Sequence, residues 1–113
     1  MTTFNDKFSE WAKSLDDYNA AYVEVSKEAL GKGLVLSNEN ASAEGFVSVR
    51  RVIVHVSGQA LNPLASVDLG LDNQSNIVLR LAKAGSAYPQ QPVSTLSKEL
   101  FRKAFRRALD LAA

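Results

Sequence analysis

Apolar positions in the first thirty residues recur at alternating steps of four and three: Phe4, Phe8, Trp11, Leu15, Tyr18, Tyr22, Val25 and Ala29. That spacing gathers them on one face of a helix and leaves charged and small residues on the other, so it predicts a helix over residues 4–30. Thr3 fits the N-cap, where its hydroxyl accepts from free N–H groups of the first turn. Asp6 then sits where a negative charge favours a helix N-terminus. Gly31 and Gly33 are suited to ending the helix, because glycine takes the left-handed conformation without a Cβ clash. Tyr22-Val23-Glu24-Val25 also alternates with a period of two, so the last two turns compete with a short strand.

A polar stretch without periodicity, residues 37–45, reads as a loop. Three strand-like stretches follow it. Residues 46–56 are rich in β-branched side chains, and their apolar phase slips at Arg50-Arg51, as a β-bulge at that dipeptide would make it do. Ala65, Val67, Leu69 and Leu71 alternate with Ser66, Asp68, Gly70 and Asp72, the pattern of a strand with one wet face. Residues 72–76 form a tight connection to Ile77, Leu79 and Leu81, which makes the pair a hairpin. Leu34-Val35-Leu36 offers a fourth strand.

Residues 85–92 read as a loop, since Pro89 and Pro92 lack an N–H and restrict the residue before them. A second amphipathic helix starts near residues 94–97, with Leu100, Phe101, Ala104, Phe105, Ala108, Leu109, Leu111 and Ala112 on its apolar face. With Ser97 as cap, Leu96 and Phe101 occupy the positions of a hydrophobic staple. Helix, three or four strands, helix is the order. The strand connections are too short for parallel crossovers, and sheets wet on one face need helical cover only on the other. The expected fold is a two-layer α+β sandwich, an antiparallel sheet flanked in sequence by an N-terminal and a C-terminal helix.

The chain has 113 residues, enough for a single domain over 1–113. Apolar residues make up 46% and charged residues 22%, which suits an ordinary hydrophobic core rather than a disordered chain. There is no cysteine, so disulfides, thiolate nucleophiles and Cys-based metal centres are excluded. No basic-then-apolar leader and no long apolar run occurs, which makes the cytoplasm the expected compartment, away from membranes.

Net charge is +1, but the two ends differ sharply. Residues 1–30 carry six acids against three lysines, and residues 94–113 carry five bases against two acids. Lys98, Arg102, Lys103, Arg106 and Arg107 stand four apart in two rows on the second helix, away from its apolar face. Guanidinium forks in such a row suit phosphate or carboxylate oxygens, and Arg50, Arg51 and Arg80 extend the patch if the fold brings them near. The competing reading is a solvated helix face with the acidic first helix lying alongside. On the first helix the aromatic stripe fits either the domain's own core or a helix-pairing seam. In the second case Phe4, Tyr22 and Val25 are the expected contacts between subunits.

Other chemistry is thin. His55 is the single histidine and no spacing supplies it with a catalytic partner. Without cysteine it also makes a poor transition-metal site. Residues 72–76 resemble the start of a calcium loop but lack the glycine at the sixth position and the closing Glu. Asp16-Asp17 are helix neighbours that diverge, Asn40-Ala41-Ser42 is a sequon with no secretion signal, and Gly31-Lys32-Gly33 closes a helix where a phosphate loop would open one. No cofactor is expected. The reading that follows is a non-enzymatic interaction module, a protein–protein adaptor or inhibitor that is homo-oligomeric. Nucleic-acid binding through the basic helix is the alternative, and a small-molecule enzyme a distant third.

Overall fold

The first amphipathic stretch forms two helices, α1 (Phe4–Lys13) and α2 (Leu15–Leu30), broken at Ser14. Residues 4–113 are described by a computed structural model, with side chains from Asp6 onward. The expected Thr3 cap and the side chain of Phe4 lie outside the described residues. The break has a visible cause. In a continuous helix the Trp11 carbonyl would serve the N–H four residues on. Here it accepts from the Ser14 hydroxyl at 2.6 Å and from Arg50 Nη2 at 2.8 Å. The Tyr22–Val25 stretch stays helical, and Gly33, at φ +73°, makes the left-handed turn into the sheet.

Six strands follow: β1 (Leu34–Ala41), β2 (Phe46–Val56), β3 (Ala65–Asp72), β4 (Ile77–Lys83), β5 (Ser86–Ala87) and β6 (Gln91–Val93). The chain then closes with α3 (Lys98–Ala112). The sheet is antiparallel in the order β1-β2-β3-β4, and both β5 and β6 pair with β4 at its far edge. This is the expected α+β two-layer sandwich, with more strands than the sequence indicates. The segment read as a loop over 37–45 is strand as far as Ala41, and the loop at 85–92 contains β5 and the start of β6. The β-bulge expected at Arg50-Arg51 lies instead between Phe46 and Ser48. Through Arg50 and Arg51 the register runs unbroken.

The helices cover one face only. Leu34, Leu36, Val52, Val54, Val67, Leu69, Leu71, Leu79 and Leu81 point to it and form one core with Trp11, Tyr18, Val25, Phe101 and Phe105. Tyr18 stands edge-on to Phe101 and Phe105, with ring centroids 5.3 and 5.1 Å apart. Buried aromatics of this kind supply much of a small core's hydrophobic stabilisation, roughly 1.5–3 kcal/mol each. Ser97 caps α3 by accepting from Leu100 N–H at 3.1 Å, and both Leu96 and Phe101 join the core. Among the described residues of the first stripe, Phe8 and Leu15 do not: each is 45% exposed, because the buried face runs through Trp11, Ser14, Tyr18, Ala21, Val25 and Ala29. No helix among the described residues is long and apolar enough to cross a membrane.

Candidate functional site

The basic stripe of α3 faces the acids of α2. Arg102 Nε lies 3.0 Å from Glu24 Oε2, and its Nη1 lies 2.8 Å from Glu99. Arg106 Nε bonds both Glu28 oxygens at 3.1 and 3.2 Å. Lys103 and Lys32 make looser pairs with Glu99 and Asp110 at 3.9 and 4.0 Å. The Arg102 bond holds the Glu24 carboxyl below the usual carboxylate range, and in return Glu24 raises Arg102. The opposite charges of the chain's two ends thus form a seam between α2 and α3, and the five bases are not a free row. Among the described residues, Arg107 has no carboxylate partner, and Lys98 makes no close ion pair although its charge acts on Glu24.

Arg50 and Arg51 do not extend that stripe, since they point to opposite faces of the sheet. Arg50 is on the helix side, its guanidinium carbon 4.0 Å from the Trp11 ring centroid, and Nη1 bonds Ser14 at 3.0 Å. Burial lowers its pKa, as expected for a cation held among aromatics. The expected subunit contacts are also placed otherwise. Val25 is fully buried in the chain's own core, and Tyr22 is partly buried, donating its hydroxyl to the Leu36 carbonyl of edge strand β1 at 2.8 Å.

The feature that sequence reasoning missed is the other face of the sheet, which no described helix covers. Strand register places Glu39, Arg51, Asp68 and Arg80 side by side on β1, β2, β3 and β4. Arg51 clamps Asp68 through two parallel bonds of 2.7 and 3.0 Å, which raises its pKa. Arg51 also approaches Glu39 at 3.9 Å, and Arg80 approaches Asp68 at 3.6 Å. The result is a row across the sheet with signs − + − +. The rows on either side are uncharged: Ala41, Val49, Gly70 and Val78 on one, Ser37, Ile53, Ser66 and Ala82 on the other. Phe46, displaced by the bulge, lies over Gly70, where a Cβ would meet its ring at 2.7 Å. The pit beside Phe46 holds about 30 Å³, far below the ~300 Å³ at which small-molecule sites begin.

His55 does gain a partner across strands. Its Nδ1 lies 2.7 Å from the Val56 carbonyl, which can only accept, so that nitrogen carries the proton. In the neutral ring, Nε2 then accepts from the Ser37 hydroxyl at 2.7 Å. Both ring nitrogens are satisfied within the chain, the usual condition of a buried histidine. Asp72 Oδ1 is likewise engaged, accepting from the N–H groups of Gln74 and Asn76 in the turn whose sequence resembles the start of a calcium loop. Among the described residues, no three His, Asp or Glu side chains are grouped to hold a metal. Compared with known proteins, the chain matches no family model, no curated protein and no solved structure.

Proposed function

We propose that this chain is a non-enzymatic interaction module that presents the open face of its sheet to another protein surface. The observation that carries the reading is the contrast between the two faces. One is sealed by α2 and α3. The other leaves Phe46, Val49, Val78 and the charged row in contact with solvent. Strands with uncharged rows around a central charged one suit a protein surface better than a polyanion, because the row's charges cancel. The nucleic-acid reading ranks behind it, since Arg102 and Arg106 are committed to Glu24 and Glu28 and the bases left without a close ion pair on α3 are few for a phosphate backbone.

The test is site-specific photo-crosslinking in cells that express the protein. A crosslinking residue at Val78, on the open face, is compared with one at Lys103, on the solvent side of α3. The reading predicts discrete adducts from Val78 and little from Lys103. Equal yields from both positions, or none from Val78, would overturn it.

A further inference from the structure

We infer that the open sheet face pairs with the same face of a second copy of this chain, about a two-fold axis running parallel to the strands. The inference rests on the reading above and names the occupant of the face. It comes from the symmetry of the charge row. Glu39, Arg51, Asp68 and Arg80 read − + − + from β1 to β4. Turning a second copy over about an axis along the strands reverses that order, so Glu39 meets the partner copy's residue 80 and Arg51 meets its residue 68. All four facing pairs are then of opposite sign. An axis across the strands would instead set every charge against its own kind, at a cost that like charges in an interface make large. An even, alternating row is complementary to itself in the first arrangement and repels itself in the second.

The neighbouring rows agree with the same axis. Rotation about the strand direction keeps each row facing itself, so Ala41 meets Val78, Val49 meets the Phe46 ring that lies over Gly70, and Ser37 meets Ala82, while Ile53 is already buried within its own chain. No charge in the central row is placed against an apolar row. The inner charges are already paired within each chain, Arg51 with Asp68 at 2.7 Å, so pairing does not strip a lone ion of its water. Glu39 and Arg80, the ends of the row, are 47% and 42% exposed and keep donor and acceptor capacity for a partner. Four strands ~4.8 Å apart and about seven residues long, at ~3.3 Å each, offer roughly 900 Å² in projection over both copies. That lies at the low end of specific interfaces, so the dimer is weak and reversible. Packed this way, the two sandwiches form four layers, with helices outside and both sheets within.

Charge reversal at the ends of the row tests this directly by sedimentation equilibrium at high micromolar concentration. Wild type is expected to dimerise. Glu39→Arg and Arg80→Glu each set like charges together at both ends of the interface, and each alone should weaken the dimer by about tenfold or more. An equimolar mixture of the two single variants restores opposite charges at both ends and should dimerise again, as should the double variant. A second readout uses milder changes in this cysteine-free chain. Ala41→Cys mixed with Val78→Cys should be joined by a linker spanning the ~10 Å between packed sheets, whereas each variant alone should not. Wild type that stays monomeric, reversals that dimerise as well as wild type, or a mixture that fails to recover would overturn the self-pairing. A monomer whose Val78 crosslinks a different protein would leave the interaction reading standing with another occupant.

Discussion

The guanidinium of Arg50, on β2, stacks 4.0 Å from the ring centroid of Trp11 while its Nη2 donates to the Trp11 carbonyl at 2.8 Å. One side chain thus holds the aromatic face of α1 and the carbonyl freed at the break between α1 and α2. Replacing it by Ala removes a charged hydrogen bond and a cation–π contact together, and should cost about 2–3 kcal/mol in urea unfolding. Arg50→Lys keeps the charge but not the fork, and should cost about 1 kcal/mol. Losses below ~0.5 kcal/mol for both would remove Arg50 from the account of the junction.

Trp11 and Phe8 lie one turn apart but differ in burial, at 3% and 45% exposed. Trp11→Ala should destabilise the fold by ~3–5 kcal/mol, as truncation of a buried aromatic does. Phe8→Ala should cost less than ~1 kcal/mol. Equal losses from the two would mean that Phe8 is packed as tightly as Trp11.

The seam between α2 and α3 makes stability depend on acid. Arg102 holds Glu24 below the usual carboxylate range, so the folded value lies under the unfolded one. The pair therefore adds stability above the ordinary glutamate range and loses it as pH falls through the lowered value. Glu24→Gln should flatten the acid limb of Tm against pH, leaving the neutral side parallel to wild type. Superimposable acid limbs would show that the pair contributes nothing.

Gly70 leaves room for the Phe46 ring on the open face, at a spot where a Cβ would stand 2.7 Å from it. Gly70→Ala should lift the ring off the strand, seen as changed chemical shifts of Phe46 and Val78, at a cost of about 1 kcal/mol. Unaltered Phe46 resonances would contradict that packing.

How much of this was legible depended on whether one face decides a residue's character. The β3–β4 hairpin could be read directly, because Val67, Leu69, Leu79 and Leu81 all face the helices. Residues 37–41 could not. At this edge Ser37 and Glu39 face outward, and Asn38 meets the Tyr18 hydroxyl at 3.3 Å instead of packing an apolar side chain. Arg50 misled the reading of β2, since a cation on the core side, satisfied by Ser14 and Trp11, mimics the phase slip of a bulge. The basic helix and acidic helix were visible as opposite charges, but their pairing needed the helices' placement. The charge row was hidden for a simpler reason: Glu39, Arg51, Asp68 and Arg80 are remote in sequence, and only strand register brings them together.

The central proposal is that the uncovered face of the sheet pairs with the same face of a second copy of this chain. Amide resonances followed by NMR as the protein is diluted from millimolar to micromolar concentration test it residue by residue. Shifts confined to Glu39, Val49, Arg51, Asp68, Val78 and Arg80, with α3 unmoved, are the predicted result. Shifts centred on Arg102 and Arg106, or none anywhere on the sheet, would contradict it.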